Sequence, residues 1–274
     1  MKKFALIRNS LKDRKNLTTM KIADYLTGKG ASCLIVSDGD EIEEGTEAVI
    51  VLGGDGTMLR AAKQVVNRQI PLIGINLGTL GYLAEVDLHS IYQAMDSLLA
   101  DSFSIERRMM LEAVVMRGRE ELARDIALND VAIIRRGQLR VLRFMNYVNG
   151  SYLNAYSADG IVIATATGST GYSLSAGGPI VSPEADVLLL TPVAPHTLNT
   201  RSVVFQGENE ICVEIGRGHI PAAADAAVSF DGANEISVTD GDRIIVRKAE
   251  KQTNIIKLSS MSFLEVLRQK MAGS

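Results

Sequence analysis

Residues 47–66 read EAVIVLGGDGTMLRAAKQVV. An apolar run, Ala48 to Leu52, ends in Gly53-Gly54, and a helical pattern begins near Thr57 with Met58, Ala61, Ala62 and Val65 on one face. Strand, glycine turn and helix N-terminus in that order form the phosphate-binding turn of an α/β domain. Working outward, KFALIR, ASCLIV and PLIGI are further apolar runs, with helical patterns over 12–27, 57–67 and near 89–100 between or after them. Solid apolar strands separated by helices predict a parallel sheet covered on both faces.

After about residue 102 the helical period fades, and strand-like segments follow one another: MLEAVVMR, IALNDVAII, FMNYVNGSYLNAY, GIVIAT, VLLLTPV, SVVF, EICVEI, AAVSF and RIIVRK. Asn149-Gly150 and the TDGD at 239–242 are turn signals within them. The tail SFLEVLRQKM is helical again, with Phe263, Leu264 and Leu267 on one face. The expected fold class is therefore α/β plus all-β. A Rossmann-like parallel-sheet domain over 1–101 carries GGDGT, a β-sandwich-like domain spans 102–258, and a C-terminal helix over 259–274 returns to the first domain.

The chain has 274 residues with 46% hydrophobic and 22% charged, which suits a globular protein with sizeable cores. A net charge of −3 and the absence of Trp give no footprint for nucleic acid. Cys33 and Cys212 stand far apart, and His89, His196 and His219 are isolated, so the sequence groups no metal ligands. The apolar run before Arg8 is too short for a signal peptide, and none approaches the roughly 20 residues that span a bilayer. The expectation is a cytoplasmic protein with neither membrane nor nucleic-acid partner.

The glycine turn carries an acid, Asp55, where phosphate would be repelled. One reading makes it a helix cap, since Asp is a favoured N-cap residue. A second, a dinucleotide-binding dehydrogenase, fits poorly: Leu59 stands at the third glycine position, and no ribose-holding acid follows the next strand. The third is phosphoryl transfer to an alcohol, in which the carboxylate takes the hydroxyl's proton while Mg²⁺ offsets the donor's charge.

Two more segments have the character of sites. The stretch SADGIVIATATGSTGYSLSAGGPI at 157–180 places seven hydroxyl residues between Thr165 and Ser175. Its length and free N–H groups suit a polar ligand better than an ordinary loop. In ALNDVAI, Asn129-Asp130 interrupts a strand pattern, and the Asn amide can both donate and accept at a purine edge.

Taken together, GGDGT at 53–57, LND at 128–130 and the run from Asp159 to Pro179 resemble the motif set of NAD kinases. Lipid kinases share the first motif, while the third is specific, and the resemblance covers essentially the whole chain. It implies ATP-dependent phosphorylation of NAD to NADP, with Mg²⁺ or another divalent cation and a homodimer or homotetramer. By position, Asp55 is the catalytic residue, accepting the proton of the adenosine-ribose 2′-hydroxyl, and Gly56 lies beside it. Asn129 and Asp130 match the pair that grips the adenosine half. Thr170, Gly171, Tyr172, Ser173, Leu174 and Ser175 match the stretch around adenine and its ribose. Asp159 matches an acid that reaches a dinucleotide, often across a subunit interface, and Arg60 and Arg140 match basic positions near the ligand. Asp130 stands where Glu is frequent, Gly171 where Ala is, Ser157 where many members have Lys or Arg, and Ala233 where some have Gln. A lipid kinase of the same superfamily and a non-catalytic NADP(H) sensor are the alternatives. The hydroxyl-crowded loop opposes the first and the intact Asp55 the second. The apolar VLLLTPV strand and the sheet edges further predict cover from a second copy.

Overall fold

A computed structural model of the chain describes all residues except 38–40, 79–80, 138–140, 197–200, 217–224, 259–261 and 273–274. The chain divides into two units, Met1–Arg108 with Lys251–Ser274, and Met109–Glu250.

In the first unit the apolar runs form strands β1 (Lys3–Arg8), β2 (Ser32–Val36), β3 (Ala48–Gly53) and β4 (Leu72–Asn76). Helices α1 (Leu17–Gly28), α2 (Asp55–Val65) and α3 (Ile91–Leu99) accompany them. The four strands are parallel in the order β2-β1-β3-β4. Two strands the sequence pattern did not mark, in segments expected to belong to the second domain, join this sheet: β5 (Ser104–Arg108) and the returning strand Thr253–Lys257, which pairs parallel to β4 and antiparallel to β5. The first unit therefore runs beyond 101, to Arg108, and takes the chain back from Lys251 rather than 259. The C-terminal helix Phe263–Ala272 belongs to it.

Strand alternation divides this core into two faces. Phe4, Leu6, Ile50, Leu52, Ile73 and Ile75 pack with Ile22 and Leu26 of α1 and Met95 and Leu98 of α3. Ala5, Ile7, Val49 and Val51 are equally buried, and α2 buries Met58, Ala61, Ala62 and Val65 against β3 and β4. Each full burial of a Leu or Ile contributes roughly 1.5–3 kcal/mol.

Helix α1 starts five residues later than the periodicity predicts, and a specific acid accounts for it. The buried Asp13 carboxylate accepts the N–H groups of Thr18 and Thr19 and the Thr19 hydroxyl, so residues 12–16 form a turn ahead of the helix.

The second unit contains β6 (Leu111–Arg117), β7 (Glu120–Ala127), β8 (Asp130–Arg135), β9 (Leu142–Val148), β10 (Ser151–Ala158) and β11 (Gly160–Thr165). A short helix, α4 (Tyr172–Ser175), comes next. Strands β12 (Val187–Val193), β13 (Val203–Gln206), β14 (Ile211–Gly216), β15 (Ala226–Phe230), β16 (Ala233–Val238) and β17 (Arg243–Lys248) complete it. Two antiparallel sheets result, ordered β10-β9-β14-β17-β6-β7 and β13-β12-β11-β8-β15-β16. Leu111, Ala113, Phe144, Val213 and Val246 of one pack with Val131, Ile133, Ile161, Leu188 and Phe230 of the other. This is a sandwich core. Asn149 and Gly150 both take positive φ, as a two-residue hairpin turn between β9 and β10 requires.

One of the grounds for expecting a second copy falls away here. In β12, Leu188 and Leu190 lie in the sandwich core, while Leu189 packs with Ala132, Val162 and Ala164 on the other face. The apolar strand taken as a reason for a second copy is covered by its own unit.

Candidate active site

Strand β3 stops at Gly53, Gly54 is extended, and Asp55 is the first residue of α2. The Asp55 carboxylate is bonded to a different loop. Its Oδ2 accepts the N–H of Tyr82 at 2.9 Å and its Oδ1 that of Leu83 at 3.1 Å. The loop after β4 approaches so closely that a Cβ on Gly81 would lie 2.0 Å from Asp55 Oδ1. The carboxylate is thus partly exposed and oriented by backbone N–H donors from another loop.

Around it, Gly56 and Arg60, one turn apart on α2, are exposed. Asn9 bridges to α2 by donating its amide to Thr57 Oγ1 at 3.3 Å. Asn9 Oδ1 also accepts the N–H of Leu11 and of Lys12. This fastens the turn that carries Lys12. The Lys12 Nζ lies 3.3 Å from where a Cβ of Gly54 would be, and 3.8 Å from that of Gly78. A cation therefore sits over the glycine turn that holds the acid. Beyond Tyr82 and Leu83 a cavity of about 630 Å³ opens, lined also by Gln93 of α3, Lys257, and Val266 and Gln269 of the C-terminal helix.

The second unit gathers its own cluster. The strand-like IALNDVAII is broken at Leu128–Asn129, between β7 and β8. Asn129 accepts the Thr165 N–H on its backbone oxygen, and a Cβ on Gly168 would sit 2.0 Å from that oxygen. The chain from Thr165 therefore folds back over Asn129 through a 3-10 turn, Thr167–Thr170, into α4. Gly171, at the junction, packs on both site residues: its Cβ position is 3.3 Å from Asn129 Nδ2 and 3.5 Å from Asp130 Oδ2. Among the described residues the Asn129 Oδ1 is buried without a hydrogen-bond partner. An orphaned buried acceptor is costly, and a ligand donor would relieve it.

Asp130 is buried, 5% exposed. Burial first, and then the facing charge of Asp231, push its carboxyl up to about 7, against which the Tyr172 backbone N–H works. The Tyr172 phenol is itself raised by burial and by Asp130 and Asp159. Its ring stays partly exposed. Asn129, Asp130, Gly171 and Tyr172 thus converge, with Asp159 near the phenol. Asp159, expected to reach a ligand, has a partner in its own chain: Arg135 Nε donates to its Oδ1 at 2.7 Å and Nη2 to Oδ2 at 3.3 Å.

The hydroxyl-rich loop needs correction in one respect. Many of its hydroxyls are spent inside the fold: Thr165 Oγ1 on Leu128 O, Ser169 Oγ on Val181, and the buried Ser173 Oγ on Thr191 Oγ1. Thr170 Oγ1 turns back to Thr167 O. Ser173 therefore offers no hydroxyl to a ligand, while Leu174 and Ser175 are exposed. Arg140 lies outside the described residues. Lys12, Tyr82, Arg135 and Asp231 were not singled out by sequence. Asp231 had a signal in the acid-glycine pair of SFDG; the others had none at short range.

The family described as ATP-NAD kinase N-terminal domain matches residues 9–103, and that described as ATP-NAD kinase C-terminal domain matches 128–258. An NAD kinase of Lachnospira eligens is 44% identical, with 99% of this chain and 100% of the relative covered. Among solved structures, yeast NADH kinase complexed with NADH superposes with a TM-score of 0.86 at 22% identity, covering 99% of this chain and 88% of that one. An NAD kinase from Archaeoglobus fulgidus in complex with ATP gives 0.78 at 24% identity, with 94% of each chain covered. At these identities the two structures establish the fold.

Proposed function

The chain belongs to the NAD kinase family, and from that premise we propose how its residues divide the transfer of the γ-phosphate of ATP to the 2′-hydroxyl of the adenosine ribose of NAD, which makes NADP. Asp55 is the proton acceptor: the 2′-oxygen attacks the γ-phosphorus as its proton passes to the carboxylate, and ADP leaves. The observation that carries this role is the carboxylate's attachment. Both of its oxygens are aimed by the Tyr82 and Leu83 N–H groups of another loop. The donor phosphates fall to Lys12 and to the N–H groups of Asp55 and Gly56, which as first-turn donors have no intrahelical acceptor. Lys12 answers the puzzle of an acid in a phosphate turn, because its charge offsets that of Asp55.

Among the described residues no three carboxylate, imidazole or thiol groups converge on one point. The divalent cation is assigned to the ATP complex, where it offsets charge on the donor phosphates.

The adenosine half is assigned to the second unit. Asn129 Oδ1 accepts from an adenine amine or ribose hydroxyl, and the Tyr172 ring offers a stacking face. Gly56, Arg60, Thr170, Leu174, Ser175 and Arg140 keep their family assignment to the dinucleotide. Asp159 keeps its own with Arg135 holding its carboxylate. The lipid-kinase and sensor readings lose to the 44% identity with an NAD kinase. From the family likeness we further propose that the protein is cytoplasmic and a homodimer or homotetramer. Among the described residues no helix is long and apolar enough to cross a membrane.

The test is a coupled assay with ATP, Mg²⁺ and NAD⁺ that reads NADP⁺. NADP⁺ should form in step with ADP. ATP consumed without NADP⁺ would overturn the reading.

A further inference from the structure

The break between β7 and β8 is held by a residue about a hundred positions away. Asp231, in the turn between β15 and β16, accepts the N–H of Leu128 on Oδ2 at 2.7 Å. Its Oδ1 accepts those of Asn129 at 2.8 Å and Asp130 at 3.1 Å. Its own N–H donates to Asp130 O at 3.0 Å. Three consecutive backbone N–H groups thus converge on one carboxylate. The left-handed φ of Asp231, 53°, and of Gly232, 72°, belong to the two-residue hairpin turn itself, but such a turn does not require the three N–H bonds. Without the clamp, the strand pattern of IALNDVAII would run on, and both side chains would be set by strand alternation alone.

We propose that Asp231 is a positioning residue for the kinase reaction, holding the Asn129–Asp130 pair in the geometry that receives the dinucleotide; this rests on the adenosine assignment made above. It touches no reacting atom and acts through the pair. Its second effect is electrostatic. The groups facing Asp130 are Asp231 from the β15–β16 turn and the phenol and backbone N–H of Tyr172 from α4, with no ion pair to a described cation. Asp231 thus disfavours charge on Asp130 while fixing its backbone. Affinity for NAD⁺ should therefore bend near neutral pH in a way that responds to the charge at position 231.

The test is calorimetric binding of NAD⁺ between pH 5.5 and 8.5 in the absence of ATP, whose own phosphate titrates in that range, with kcat measured separately. Asp231→Asn keeps a residue tolerant of left-handed φ and one acceptor oxygen but removes the charge. The expected result is Kd for NAD⁺ weakened roughly tenfold, the weight of one charge-assisted hydrogen bond. Saturated kcat should be changed far less, and the bend in log Kd moved to lower pH. A purely structural turn residue would lower the melting temperature and leave Kd and its pH profile where they were; that outcome overturns the proposal. Should Asp231→Asn not fold, Asp231→Glu keeps the charge and displaces the carboxylate. It should weaken Kd with the bend unmoved, and an unchanged Kd is equally fatal. Wild-type protein that makes NADP⁺ while Asp130→Asn retains the neutral-pH bend would reject this inference and leave the kinase reading intact.

Discussion

Asp55 and Asp130 both stand at the first position of an element, and their surroundings have opposite character. Asp55 is partly exposed, and each of its oxygens takes a backbone N–H from the loop after β4. Asp130 is sealed among strands and faces a second acid, Asp231, so its carboxyl is pushed up to about 7. The first acid is aimed, and a base needs that before anything else. The second is held under electrostatic stress, a state that persists only where surrounding bonds fix it. Residue type and the motif around it do not separate the two roles; the donors around each carboxylate do.

Breaking the first acid should have the largest effect. Asp55→Asn removes proton acceptance, and kcat should fall by at least about 10²-fold, the lower bound for general-base catalysis. Affinity for NAD⁺ should survive. The variant also turns an amide NH₂ toward the N–H of Tyr82 or Leu83, so a stability loss of about 1–3 kcal/mol accompanies it. A helix cap would have given no such pattern, because Asn caps as well as Asp. Retention of most wild-type kcat at ordinary Mg²⁺ would remove Asp55 from the mechanism. Rescue at high Mg²⁺ would make it a metal ligand instead.

The second acid makes its prediction through pH. Because burial raises the Asp130 carboxyl, the folded protein keeps a proton that the unfolded chain loses. The group's contribution to stability therefore falls as pH rises from the unfolded value of 3.8 to about 7, and is flat above that. Asp130→Asn should erase this slope. Relative to wild type it gains stability across that window, by at most about 4 kcal/mol. Urea unfolding of both proteins at pH 5 and pH 8 measures the difference. A constant difference between the two would mean that Asp130 ionises as an ordinary carboxylate.

The same contrast explains what the sequence disclosed. Strands β1, β3 and β4 and helix α2 were legible because their burial is local and periodic, as were the GGDGT, LND and ATGSTGY motifs. Strand β5 (SIERR) and the returning strand TNIIK were not, since each is half polar and is fixed by pairing with the other across the length of the chain. The late start of α1 depends on one side chain, Asp13, reaching forward to Thr19. Within the site, the sequence named Asn129 and Asp130 but not Asp231, which meets them across more than a hundred residues. It counted the hydroxyls of 165–175 without dividing them, because only packing sends Ser173 inward and leaves Tyr172 out.

That division gives the next comparison, between neighbours in one short helix. Tyr172→Ala removes a partly exposed ring, and base–aromatic stacking is worth about 1–3 kcal/mol, so KM for NAD⁺ should rise roughly 5- to 150-fold. The fold should be unaffected. Asn129→Ala should act in the same direction. Ser173→Ala should do the reverse, leaving KM alone and costing about 1–3 kcal/mol of stability, because Thr191 Oγ1 is left buried without its partner. Equal KM values in Tyr172→Ala and wild type, measured beside melting curves, would show that the adenosine site lies elsewhere.

The smallest effect belongs to Gly171, which abuts Asn129 and Asp130 together. Its φ of −96° lies in territory open to any residue, so the backbone does not demand glycine. An added Cβ would meet Asn129 Nδ2 and Gly168 O at 3.3 Å and Asp130 Oδ2 at 3.5 Å. Two of these contacts are a few tenths of an ångström too tight, and the Asn129 amide can yield more easily than the Gly168 backbone. Against that strain stands the gain from restricting the unfolded chain, about 0.4–1 kcal/mol for Gly to Ala at a compatible position. The two terms are of similar size and opposite sign. Gly171→Ala should therefore shift stability by less than about 1 kcal/mol and KM for NAD⁺ by less than about 5-fold. A KM increase matching that of Asn129→Ala would mean that the Asn129 amide cannot move without losing its ligand.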